Sequence, residues 1–149
     1  MGVWLLLVLG LSWLRLNSSP SVPLGLYLLR RVPAPLERGM LVVFPVPPSV
    51  QRWWPRWLPL LKPVAGVPGN TVCVWAQTFL VNGRAFGPVL TEASDGRPVP
   101  RLEGCFTGAP DAVIVASDTP RSLDSRYFGA VPIAQLEAVA TPFLTWRWR

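Results

Sequence analysis

The sequence predicts a mainly β domain behind one N-terminal hydrophobic helix, and three observations lead there. First, 18 prolines and 12 glycines in 149 residues cut the chain into short segments, which argues against a helical bundle. Second, the apolar runs 40–44 (MLVVF) and 112–116 (AVIVA) have the length of buried strands, not helices. Third, residues 2–14 (GVWLLLVLGLSWL) carry no charge before Arg15, the pattern of a membrane-inserted segment. Half of the residues are hydrophobic and only 15% are charged, so the chain has the apolar content for one packed domain. It contains no histidine, which excludes a Ser-His-Asp triad, a Cys-His dyad and His-ligated metal sites.

Taken in order, residues 1–16 are read as an N-terminal anchor, with a signal-peptide core or a truncated span as the alternatives, and 17–149 as the domain. The apolar run is shorter than the ~20 residues of an average spanning helix, and no small-x-small cleavage site follows it. Arg15, Arg30 and Arg31 all lie after the run, so charge counting does not set its orientation. Residues 24–32 read as a strand, 37–39 as a turn, and 40–44 as a buried strand. Residues 45–59 form a Trp/Arg-rich loop with Trp53, Trp54 and Trp57 beside Arg52 and Arg56. Either those indoles pack on the domain, or they lie at headgroup depth with the arginines meeting lipid phosphates. Residues 71–81 alternate as one strand, and Asn82-Gly83 is a strong hairpin turn. Residues 91–101 are a polar excursion. The buried strand 112–116 leads into a polar loop, 117–126, and the chain ends in a basic, aromatic TWRWR.

The net charge of +6 comes from arginines scattered beside Trp, Leu and Pro. That pattern suits an anionic membrane surface and argues against nucleic-acid binding. Lys62 is the only lysine, within LPLLKPVAG, with no acidic neighbour in sequence. Burial in such surroundings lowers a lysine pKa enough to make the amine a base. On local sequence alone Lys62 also reads as a lysine snorkelling from a strand edge, and the hydroxyl-rich NSSPSVPLG at 17–25 as a linker.

Four ordered segments change that weighting. Ser21-Val22-Pro23-Leu24-Gly25-Leu26-Tyr27, with Asn17 and Ser19 upstream, resembles the nucleophile segment of the type I signal peptidases (serine peptidase family 26). The likeness is nearest to their conjugative-transfer, TraF-like maturation branch. Arg38-Gly39-Met40-Leu41-Val42-Val43-Phe44 is similar to the family's Arg-Gly-Asp strand, with Met40 in place of the acid. Residues 62–70 (KPVAGVPGN) resemble the lysine segment, with Asn70 for aspartate and Pro63 for the arginine of housekeeping enzymes. Residues 117–129 resemble the Ser-x-Asp-Ser-Arg signature, with Ser117-Asp118-Thr119-Pro120 in place of Gly-Asp-Asn-Arg.

The resemblance implies a signal-peptidase-like antiparallel β catalytic domain, with Ser21 as nucleophile and Lys62 as general base. It further implies Ser19 as an oxyanion-stabilising hydroxyl, Ser122 as the residue that orients the lysine amine, and Asp124 with Arg126 as a structural ion pair. The expected activity is that of a membrane-anchored serine endopeptidase without cofactor or metal. Its substrate would be a preprotein or propilin, and membrane lipid its other partner. The domain would lie on the extracytoplasmic side of the inner membrane. The alternatives are a general type I signal peptidase that removes leaders after small residues, and a catalytically inactive membrane-surface domain. A self-cleaving repressor is set aside, because a hydrophobic segment and not a DNA-binding domain precedes Ser21. In an exported domain, Cys73 and Cys105 are expected to form a disulfide.

Overall fold

The computed structural model describes residues 12–146. Among the described residues eleven strands form two antiparallel sheets. The seven-stranded sheet contains β1 (Leu14–Asn17), β2 (Leu24–Arg30), β3 (Leu41–Phe44), β4 (Leu60–Gly66), β9 (Ala112–Val115), β10 (Val131–Pro132) and β11 (Ala138–Trp146). Their spatial order is β1-β2-β11-β3-β4-β9-β10. The four-stranded sheet contains β5 (Thr71–Trp75), β6 (Thr78–Val81), β7 (Arg84–Pro88) and β8 (Gly104–Thr107), in the order β7-β6-β5-β8. One short helix, α1 (Ser125–Phe128), follows β9.

The unbroken apolar run of β3, and the run of β4 interrupted only by Lys62, follow from burial on both faces. Val42 and Phe44 of β3, with Leu60 and Val64 of β4, enter the main core, while Val43 and Leu61 enter a smaller cluster with Tyr27, Ala138 and Ala140. Side chains alternate along a strand, so Lys62 shares the main-core face with Leu60 and Val64. That register buries the only lysine.

Several sequence expectations change. The anchor reading overlaps β1: residues 14–16 are strand, paired Leu14↔Leu28 and Leu16↔Leu26. The alternation Leu14, Arg15, Leu16, Asn17 has the period of two that a ladder requires, and it overrides the helical reading there. Residues 1–11, which hold most of the expected hydrophobic helix, lie outside the described residues. Among the described residues no helix is long and apolar enough to cross a membrane. The strand expected at 24–32 ends at Arg30. The single strand expected at 71–81 is a hairpin, because Ala76 and Gln77 both take positive φ (46° and 60°) and turn the chain. Asn82-Gly83 makes the expected second turn, again with both φ positive.

On the outer side of β1, β2 and β11, the cross-strand partners Leu16↔Leu26↔Leu144 and Leu24↔Trp146 place apolar side chains in one layer. Leu16, Leu144 and Trp146 of that layer are exposed. β11 carries a bulge between Pro142 and Leu144. There the backbone passes so close to Gly25 (φ +142°) that a Cβ would lie 2.1 Å from the Leu144 carbonyl oxygen. Only glycine fits that crossing.

Candidate active site

The turn between β1 and β2 carries Ser21. Pro20 and Pro23 fix φ on either side, and Asn17, buried at the end of β1, organises the turn from beneath. Its Nδ2 donates to the carbonyls of Ser19 (2.8 Å), Val22 and Pro23 (both 3.2 Å), while its Oδ1 accepts from Ser19 N–H (3.2 Å). Tyr27 Oη closes the turn on the Pro23 carbonyl at 2.5 Å.

Lys62 reaches this turn from β4. Its Nζ lies 2.5 Å from Ser21 Oγ and 3.1 Å from Ser122 Oγ, and Ser122 Oγ lies 3.3 Å from Ser21 Oγ. Ser19 Oγ is 3.3 Å from Ser21 Oγ on the other side. Lys62 is only 3% exposed. Burial pushes its pKa down from 10.5 to about 8; Asp124 acts in the opposite direction and Arg126 adds to the lowering. The amine is therefore far closer to neutrality at ordinary pH than a surface lysine, with the Ser21 and Ser122 hydroxyls against it and the Ser19 hydroxyl against Ser21.

Asp124 and Arg126 are completely buried and pair bidentately, Nε to Oδ1 at 2.8 Å and Nη2 to Oδ2 at 2.7 Å. Burial alone would lower the Arg126 pKa, but the hydrogen bond and charge of Asp124 hold it above its usual value. Arg126 also donates to the carbonyls of Ser117 and Thr119, both at 3.0 Å, and of Pro88 at 3.2 Å. Asp124 Oδ2 accepts from Ser117 N–H at 3.2 Å. The expected polar loop 117–126 is thus wound around an ion pair that satisfies its backbone.

Two further residues act on the turn that carries Ser21. Ser117 Oγ donates to the Ser21 carbonyl at 2.6 Å, and Thr119 Oγ1 donates to the Pro20 carbonyl at 3.2 Å. Ser117 stands at the glycine of the family motif and Thr119 at its asparagine, and nothing in the local sequence sets them apart from solvated loop residues. The signal that could have found them is their place in the one segment that also carries Ser122, Asp124 and Arg126.

A cleft of about 850 Å³ runs past Ser21 along Val22-Pro23-Leu24, Pro63-Val64-Ala65 and Ser117. A separate cavity of about 420 Å³ reaches Ser21 and Lys62 from the other side. Cys73 and Cys105 pair directly across β5 and β8 and are joined as a disulfide, away from these residues in the smaller sheet. Among the described residues no cluster of His, Cys, Asp and Glu could hold a metal ion.

Against known proteins, a family model described as signal peptidase, peptidase S26, matches residues 2–146. The conjugal transfer protein TraF of Agrobacterium fabrum is 31% identical, over 88% of this chain and 82% of that protein. The plasmid transfer protein TraF of Escherichia coli is 30% identical, over 95% of this chain and 90% of that protein. A crystal structure of a signal peptidase I from Enterococcus faecalis aligns with a TM-score of 0.43 and 30% identity, covering 71% of this chain and 97% of the other.

Proposed function

The chain belongs to the signal peptidase family, peptidase S26, in its TraF-like branch, and from that premise we propose that it is a membrane-associated serine endopeptidase that works through a Ser21/Lys62 dyad. The observation that carries the reading is the 2.5 Å contact between Ser21 Oγ and a buried Lys62 whose pKa lies near 8. Neutral Lys62 takes the Ser21 proton as Oγ attacks the peptide carbonyl. The Ser21 N–H and the Ser19 hydroxyl stabilise the oxyanion, and Ser122 keeps Nζ aimed at Oγ. The Lys62 ammonium then protonates the leaving amine, and water hydrolyses the acyl-enzyme with Lys62 again as base. Asp124 and Arg126 hold the loop that clamps the turn and take no proton.

The names of the relatives point to conjugative transfer, so the substrate class is a preprotein of a transfer apparatus, with a propilin as the leading case. The apolar outer layer of β1, β2 and β11 is suited to lie against lipid. The Cys73–Cys105 disulfide suits an oxidising compartment, which favours the extracytoplasmic side of the inner membrane.

The test is processing of candidate preproteins co-expressed with wild type, Ser21→Ala or Lys62→Ala, with membrane insertion and folding of each variant checked. Cleavage by wild type that both substitutions abolish is the expected result. Cleavage that survives both would refute the dyad.

A further inference from the structure

The Trp/Arg-rich loop is the one conspicuous sequence feature that the peptidase reading leaves unused. Its three tryptophans do not behave alike. Trp57 is 81% exposed, whereas Trp53 and Trp54 pack against the main core. Together with Leu90, Val99, Leu123 and Tyr127, those two indoles wall the 420 Å³ cavity that reaches Ser19, Ser21 and Lys62. Glu92, Asp95 and Arg121 also border it.

The walls are tied in place. Trp54 Nε1 donates to the Leu58 carbonyl at 2.7 Å, Tyr127 Oη accepts from Leu90 N–H at 3.1 Å, and Arg121 Nη1 donates to Ser94 Oγ at 3.1 Å. A cavity formed in advance, apolar on most of its walls and open to a reactive hydroxyl, is built to take a substrate group. Lys62 borders this cavity and not the larger cleft. What fills the cavity therefore sets how much water reaches Nζ. Water there favours the ammonium, and an apolar group favours the neutral amine.

We propose that the Trp53/Trp54 cavity is a subsite for a bulky apolar side chain of the substrate close to the scissile bond, and that its occupancy dries Lys62 and so raises the rate of the chemical step. The proposal rests on the Ser21/Lys62 reading above. Binding energy from a non-reacting side chain is then expressed in kcat more than in KM.

The experiment uses the full chain in detergent micelles and internally quenched peptides with a scissile Ala–Ala bond. Each position, from the third before the bond to the second after it, is made Ala, Leu or Phe in turn. At one position Leu or Phe is expected to raise kcat/KM by about tenfold or more over Ala, mostly through kcat. The acid limb of kcat, which reports the enzyme–substrate complex, moves to lower pH with the bulky residue, while the limb of kcat/KM stays in place. Ala93→Trp, and independently Val99→Trp, narrow the cavity from different segments and reduce the bulky-to-alanine ratio by about tenfold. Ser21-dependent cleavage with no bulky preference, or with a preference that neither substitution changes, overturns the subsite and leaves the dyad standing. No Ser21-dependent cleavage of any peptide overturns the dyad and the subsite together.

Discussion

Replacing Lys62 by Met should destroy activity and at the same time stabilise the fold near neutral pH. In the folded state burial holds the Lys62 pKa at about 8 against an ordinary 10.5. That difference corresponds to ~3 kcal/mol by which folding disfavours the ammonium. The pKa is lowered on folding, so between the two values the unfolded chain binds the proton and the folded chain does not. Stability therefore rises with pH through this window, and below about pH 8 the full penalty applies. Methionine has a similar length and no charge, and Ser21 and Ser122, 3.3 Å apart, can pair with each other in its place. From about pH 7 to about pH 10, wild type should gain ~2.5 kcal/mol relative to Lys62→Met. The assay is chemical denaturation of both proteins across that range, read as the difference between them. Common contributions then cancel, including that of Tyr27, whose phenol burial pushes up. A difference that stays flat with pH would refute the claim that Lys62 is desolvated in the folded protein.

Other outcomes follow from the same geometry. The kcat/KM profile for any cleaved substrate should rise with pH along a limb near the Lys62 value of about 8, and a limb near 10.5 would mean a solvated lysine. Ser117→Ala removes the 2.6 Å bond to the Ser21 carbonyl and should lower kcat by about ten- to hundredfold with little change in KM, since it displaces the nucleophile and not a substrate contact. Ser117→Thr keeps a hydroxyl and should recover part of that loss. Gly25→Ala drives a Cβ into the Leu144 carbonyl and should cost about 3 kcal/mol or more, measurable as a lowered thermal midpoint.

Much of the candidate site was legible only through four ordered segments that resemble a known family. Taken alone, Lys62 also reads as a lysine snorkelling from a strand edge and 17–25 as a linker, so it is their order that narrows the reading. β3 and β9 were legible because burial on both faces leaves uninterrupted apolar runs. Other features lacked a local signal. The turn at Ala76-Gln77 uses positive φ without glycine or asparagine, so period-two alternation runs straight across it. β11, the longest strand, contains Pro142, which argues against a central strand until the adjoining bulge is seen to absorb it. Ser117 and Thr119 become meaningful only when the chain returns to the Ser21 turn from about a hundred residues away. The N-terminal segment shows the limit of pattern length: an apolar run read as one helix ends in residues that alternate as strand.

The network around Arg126 and the desolvation of Lys62 act on stability in opposite directions. Arg126 joins the Asp124 carboxylate to the carbonyls of Pro88, Ser117 and Thr119 in the interior, so its loss leaves several buried groups unpaired and removes the fold with the activity. Lys62 is the reverse case, because its replacement by an apolar residue relaxes a strained interior. An apolar residue at position 62 is therefore expected to leave a well-folded chain that lacks the base of the proposed reaction. The Asp124/Arg126 pair is thus a requirement of the architecture, whereas Ser21 and Lys62 are requirements only of the proposed chemistry.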